Sequence, residues 1–264
     1  LAGAFIAGRA DADIPSAMPA ATAPAQSMSS PAPPSDLLLA AIERARAARE
    51  HIYQCGTLPD QSGTPLPVWP SGITRERGEA LRELALSVNA ATCLETGFGY
   101  GMSASFLLEA ALRVRSRSPS TSLLPALTSI DPGELQLWNN AGLVHLELAG
   151  LAPHHRFFPE KSERILPRLI DAGERFDVAF IDGDHRFDGA MIDVFYALRL
   201  VRESGLIVLD DAWMPSVQKC SAFFVGNGLC EMHSVWPSGE KPRLHVLRAN
   251  PGHDYRVWDH FVEF

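Results

Sequence analysis

The chain has 264 residues, a formal net charge of −8, and 46% hydrophobic against 20% charged residues. That balance is globular, and the length suits one large domain better than two. The acidic excess argues against a general nucleic-acid or anionic-membrane surface, and no apolar run reaches the roughly 18 residues that span a bilayer.

Residues 1–35 differ in kind: "ADADIPSAMPAATAPAQSMSSPAPPS" is Ala/Pro/Ser-rich and has little to build a core from, so a disordered extension is expected. The preceding "LAGAFIAG" lacks a basic n-region, so secretion is not expected, and Met28 is a candidate natural start. From Asp36 the pattern turns helical. "SDLLLAAIERARAAREHIYQ" has Ser35 or Asp36 as cap, and "TRERGEALRELALSVN" has Thr74. The Pro/Gly-rich loop Cys55–Gly72 separates them, and residues 36–89 are expected to form an N-terminal helical cover.

After Asn89 strands and helices alternate. "ATCLETG", "LPALTSID", "HRFFPE", "FDVAFID" and "GLIVLDD" read as strands. Between them "MSASFLLEAAL", "ELQLWNNAGLVHLELAG", "SERILPRLIDAG" and "FDGAMIDVFYALRLVRE" read as helices. "LCEMHSVW" and "PRLHVLRA" follow as an antiparallel pair. The prediction is an α/β, doubly wound, mostly parallel seven-stranded sheet over residues 90–250, with 251–264 as a tail. The basic run Arg113–Ser118 reads as a solvated helix end. Cys55, Cys93, Cys220 and Cys230 show neither CxxC nor zinc spacing, which suggests reduced thiols and a cytoplasmic protein.

In such sheets ligands bind at the carboxyl ends of the strands. The first strand ends in "LETGFGYGMSAS", where Gly97, Gly99 and Gly101 let the backbone turn tightly and approach a ligand. Glu95 is expected to face a ligand amine, and Asp131, ending the next strand, to accept from ribose hydroxyls. Glu95 and the glycine spacing favour S-adenosylmethionine over NAD.

"LETGFGYGMSAS", "SID", "EKSERILP", "FDVAFIDGDH" and "GLIVLDD" in this order resemble class I S-adenosylmethionine-dependent methyltransferases. The likeness covers roughly residues 90–211 and is strongest to the catechol O-methyltransferase branch and the macrocin-type sugar O-methyltransferases. The resemblance implies a Rossmann-like methyltransferase fold. It also implies that Glu95, Gly97 and Ser103 contact the methionine portion of the cofactor, Asp131 the ribose and Ser162 the adenine. Ser162 equally suits a helix cap.

Asp182 closes the fourth strand, and Asp210 and Asp211 the fifth. Like charges that close repel unless a cation or protons intervene, and carboxylate oxygens suit Mg²⁺ or a similar hard cation. Asp182, Asp210 and Asp211 are therefore the expected metal ligands, with Asp182 also beside the cofactor. The resemblance offers Asp184 and His185 as alternative bases, and the near-neutral pKa of imidazole favours His185. Asp188 reads as a first-turn acid favoured by the helix dipole. Trp213, Met214 and Phe187 are candidate walls of an acceptor pocket, and Trp69 and Tyr53 candidate closures.

The expected activity is O-methylation of a small-molecule hydroxyl, a sugar or catechol-like diol, with no nucleic-acid or membrane partner. A metal-independent N- or O-methyltransferase is the alternative. An NAD oxidoreductase and a catalytically dead interaction module are the rivals outside that class. Relatives are often dimers or larger, so a homo-oligomer is possible, and the aromatic C-terminal "HDYRVWDHFVEF" could pack on a partner or on its own sheet edge.

Overall fold

A computed structural model describes residues 35–117, 125–239, 241–249 and 256–260. The predicted N-terminal extension, the end of the basic run and most of the tail lie outside them. Helix α1 (Ser35–Cys55) buries Leu38, Ala41, Ile42, Ala45 and Ile52, the three- and four-residue spacing of one helix face. The Pro/Gly-rich loop after it contains a feature the sequence reading missed, a short antiparallel pair β1 (Thr57–Pro59) and β2 (Pro65–Pro67). Helix α2 (Arg75–Ser87) begins as predicted, with the Thr74 side chain accepting from the Arg77 amide at 3.4 Å.

The remaining elements are β3 (Cys93–Thr96), α3 (Met102–Arg117), β4 (Leu127–Ile130), α4 (Glu134–Trp138), α5 (Ala141–Leu148), β5 (His155–Phe158), α6 (Ser162–Asp171), β6 (Phe176–Ile181), α7 (Phe187–Leu200), β7 (Val201–Leu209), α8 (Pro215–Gly226), β8 (Cys230–Trp236) and β9 (Leu244–Ala249). The seven-stranded sheet has the order β5-β4-β3-β6-β7-β9-β8. Its first five strands are parallel, and β9 pairs antiparallel with β7 and with β8.

Two local expectations are corrected. The single helix predicted over "ELQLWNNAGLVHLELAG" is two, because Asn139 and Asn140 adopt left-handed backbone at φ 46° and 58°. Asn tolerates that conformation better than most residues. The helix predicted to run through Glu203 stops at Leu200, and β7 starts at Val201, where pairing with Phe176 overrides helix propensity.

Strand alternation divides the core in two. Cys93, Val178, Phe180, Leu206 and Val208 face the layer containing α1, α2 and α3. Their neighbours Leu94, Ala179, Ile181, Ile207 and Leu209 pack with α6, α7 and α8. This parity decides where the polar residues go. Glu95 continues the Cys93 face and Thr96 the Leu94 face. Strand order reverses at β3, whose neighbours are β4 and β6, so the crevice opens above that pair.

Candidate active site

A cavity of about 930 Å³ lies over the carboxyl ends of β3, β4, β6 and β7. Its floor is the glycine loop. Gly97 sits at φ +82°, and a Cβ there would lie 2.1 Å from the Asp182 carbonyl oxygen, so β3 and β6 meet too closely for any side chain. Gly99 differs: an added Cβ would meet only the Trp138 indole, at 3.8 Å. The bare backbone at Gly99 borders open cavity, which fits a ligand lying against it. Gly101 also lines the cavity.

Asp131 fastens this loop. Its Oδ2 accepts the Phe98 and Gly99 amides at 2.9 and 3.0 Å, and its Oδ1 accepts the Gly133 amide at 2.7 Å. The carboxylate still borders the cavity, and each oxygen has two lone pairs, so a ribose hydroxyl can be accepted as well. Glu95 takes a different place from the expected one. It is fully buried beneath the loop, where it accepts from Ser103 Oγ at 2.6 Å and Ser129 Oγ at 2.7 Å. Burial pushes its carboxyl up to about 8, against the pull of both hydroxyls. Ser103 lines the cavity and Glu95 does not, so the acid reaches the cavity wall only through the serine that donates to it.

Ser162 opens α6 and lines the cavity, and the helix cap position falls to Lys161, with no side-chain capping bond. Asp193 of α7 stands nearby, a residue the sequence reading passed over. Its carboxyl is raised to about 6, chiefly by burial, with Ser162 and Thr96 drawing it down. Its Oδ1 is buried without a hydrogen-bond partner. The signal was available: an Asp on the apolar face of α7 has no packing reason to be there.

The acidic strand ends converge as expected, but the cation among them is a side chain. Arg77 of α2 donates from Nη1 to Asp210 at 3.0 Å and reaches Asp211 Oδ1 at 3.5 Å. Arg243 Nη2 and Trp213 Nε1 each donate to the same Asp211 Oδ1 at 3.0 Å. Asp210 Oδ1 also accepts the Asp211 amide at 2.8 Å. Asp211 has left-handed backbone at φ 48°, unusual for a residue other than glycine. Burial and Asp210 together raise Asp182 well above the carboxylate range, with Arg77 opposing. Burial likewise raises Asp210.

Two of the three expected Mg²⁺ ligands, Asp210 and Asp211, are thus already paired with the Arg77 guanidinium. A ligand oxygen needs a lone pair free to face the ion, whereas Asp211 Oδ1 already meets donors from Arg77, Arg243 and Trp213. Among the described residues no group of three or more His, Cys, Asp and Glu side chains has the arrangement to hold a metal. The positive charge expected among the three acids is supplied in the structure by Arg77. Arg77 stands in the predicted cover helix, too distant in sequence to enter the reckoning.

His185 and Asp184 are separated by their partners. His185 Nε2 lies 3.7 Å from Asp182 Oδ1 and 3.5 Å from Asp211 Oδ2, and Ser216 Oγ donates to its carbonyl at 2.6 Å. Asp184 is instead clasped by Arg186, whose side chain donates to both oxygens and whose amide donates to Oδ1. That pairing holds its carboxyl below the usual range.

The suggested aromatic walls do not frame the cavity. Phe187 and Met214 pack on the α7–α8 side of the core, Trp69 stacks on Tyr53 with centroids 6.1 Å apart, and Trp213, outside the cavity lining, donates to Asp211. Tyr100 and Trp138, with ring centroids 4.8 Å apart, line it instead.

Residues 94–212 match the family model described as a methyltransferase domain. No curated protein matches the sequence. Among solved structures, the chain is similar to the O-methyltransferase from Bacillus cereus in complex with S-adenosylhomocysteine (17% identity, 81% of this chain and 94% of that one, TM-score 0.53). It is also similar to an O-methyltransferase of tomaymycin synthesis from Streptomyces achromogenes, bound to S-adenosylmethionine (20%, 79% and 89%, 0.53). The third is an S-adenosylhomocysteine-bound methyltransferase from Podospora anserina (16%, 80% and 87%, 0.55). At these identities the structural likeness speaks for the fold. Among the described residues no helix is long and apolar enough to cross a membrane.

Proposed function

We propose that the chain, whose residues 94–212 match a methyltransferase-domain model, is an S-adenosylmethionine-dependent methyltransferase that methylates a hydroxyl oxygen of a small molecule, with His185 as the base. The observation that carries this reading is the position of His185 Nε2 at the cavity, between Asp182 Oδ1 and Asp211 Oδ2 at 3.7 and 3.5 Å.

When bound, S-adenosylmethionine supplies an electrophilic methyl group and departs as S-adenosylhomocysteine. The chain supports that binding with the Gly97–Gly101 loop, Ser103 for the methionine portion, Asp131 for the ribose and Ser162 for the adenine. Glu95 holds Ser103 in its rotamer. His185 Nε2 accepts the acceptor's hydroxyl proton as the new C–O bond forms, and the electrons of the breaking S–C bond stay on sulfur. The imidazolium that results lies 3.5 Å from Asp211 Oδ2, and the Asp211 carboxylate favours its charge. Asp211 Oδ2 is also free to accept a second hydroxyl on the adjacent carbon, which is why a sugar or catechol-like diol suits the site. The protein's remaining contribution is alignment of acceptor, methyl and sulfur.

The experiment is S-adenosylhomocysteine release from a panel of diols, mono-ols and amines, for wild type and His185→Gln. Turnover with diols that His185→Gln loses, while calorimetry shows unchanged cofactor binding, supports the reading. Turnover confined to amines, or insensitivity to His185→Gln, overturns it.

A further inference from the structure

We infer that His155, on β5 and outside the cavity lining, is a positioning residue for the cofactor site, acting through Ser129 and Glu95 on the Ser103 hydroxyl. The inference rests on the methyl-transfer reading for the ligand that Ser103 meets, and goes beyond it in the residue named.

Four side chains on four elements form one hydrogen-bonded chain. His155 Nε2 lies 2.9 Å from Ser129 Oγ on β4, and Ser129 Oγ donates to Glu95 Oε2 on β3 at 2.7 Å. Ser103 Oγ, at the start of α3, donates to Glu95 Oε1 at 2.6 Å. Sheet register brings the middle links together, because Glu95 stands directly opposite Ser129 in the parallel β3–β4 pair. Glu95 and Ser129 are fully buried, and of the four only Ser103 lines the cavity. His155 also stacks on Phe98 of the glycine loop, with centroids 5.1 Å apart and planes at 18°, so one ring touches both the loop and the chain beneath it.

The direction of each bond follows from the donors available. A serine hydroxyl has one hydrogen to give. Ser129 gives its hydrogen to Glu95, so its oxygen accepts from His155, which is therefore the Nε2–H tautomer. Burial pushes the imidazole down to about 4, which keeps it neutral with a single N–H to place. Turning the Ser129 hydrogen away from Glu95 would leave it buried without an acceptor, which is costly. Ser129 thus stays aimed at Oε2, and a proton on Glu95 sits on Oε1, against Ser103. Every change at Glu95 is passed to the one serine that faces the cavity. Without the His155 N–H, Ser129 is free to turn, and Glu95 and Ser103 lose their fixed orientation with it.

The test is calorimetric binding of two ligands, S-adenosylhomocysteine and 5′-methylthioadenosine. The second keeps the adenosine and sulfur but lacks the amino-acid portion that Ser103 meets. His155→Phe keeps a ring against Phe98 and removes the N–H, and Ser129→Ala cuts the chain one link nearer the cavity. The expected result is S-adenosylhomocysteine weakened ~10-fold in both variants, with methylthioadenosine unchanged within ~2-fold. In a Ser103→Ala background the His155→Phe loss should vanish, because the chain then stops short of the ligand. Unchanged S-adenosylhomocysteine affinity, equal weakening of both ligands, or losses that add in the Ser103→Ala background would each overturn the inference. Ser129→Ala decides the matter if His155→Phe does not fold. Wild type that binds neither ligand sinks the methyl-transfer reading itself, and the inference with it, whereas wild type that binds both leaves the variants to judge His155 alone.

Discussion

Arg77 Nη1 donates to the carboxylate of Asp210 at 3.0 Å across 133 positions of sequence, joining the N-terminal cover to the end of β7. Both side chains are buried, at 9% and 2% exposure. Breaking a buried pair by removing one partner leaves the other charge uncompensated, at a cost of about 3–5 kcal/mol. Arg77→Ala should lose about that much in urea unfolding, and Asp210→Asn in the same background should restore part of it. A change under about 1 kcal/mol would mean that the pair is not the anchor proposed.

Glu95 makes stability depend on pH. Its folded carboxyl sits at about 8, above the ordinary 4.5, because it is buried. The folded state therefore holds a proton that the unfolded state releases, so its contribution is full below about 4.5 and is lost as pH rises to about 8. Wild type should lose more stability between pH 5 and 9 than Glu95→Gln, by a few kcal/mol, on the order that a shift of this size implies. Parallel unfolding curves for the two proteins would contradict the assignment.

Asp131 holds two amides of the glycine loop and one of the turn that follows β4. Charge-assisted bonds of this kind contribute about 1.5–3 kcal/mol each. Asp131→Ala should weaken S-adenosylhomocysteine binding by at least ~10-fold in calorimetry, with an unchanged far-ultraviolet spectrum. Undiminished affinity would remove Asp131 from the cofactor site.

The roles of the two candidate bases separate by substitution. General base catalysis contributes about 10²–10⁴-fold, so His185→Gln should lower kcat by that factor while cofactor affinity stays within about 3-fold. Asp184→Asn should change kcat by less than about 5-fold, since its oxygens already serve Arg186. The reverse ranking would move the base to Asp184.

The cover shows why part of the site was out of reach of the sequence. "TRERGEALRELALSVN" was legible as a helix, because its cap and apolar spacing are local. That its fourth residue, Arg77, would enter the cavity was not, since α2 docks through contacts made only in the folded chain. The break at Asn139-Asn140 is intermediate: the two asparagines signalled it, but helical spacing on either side masked them. Asp193 carried its own signal, an acid among apolar neighbours, yet its partners Ser162 and Thr96 lie on other elements.

The sequence by itself determined the strand–helix alternation, the glycine turn after β3 and the acids at the ends of β4, β6 and β7. These follow from residue spacing, backbone permissiveness and the rule that functional residues sit where parallel strands stop. Only the tertiary structure decided what neutralises the acids, that Glu95 lies under the loop, and that His185 rather than Asp184 faces Asp182 and Asp211. Those outcomes depend on side chains meeting across long sequence separations. A burial penalty or an ion pair exists only once the partner's position is fixed, and no local pattern carries it.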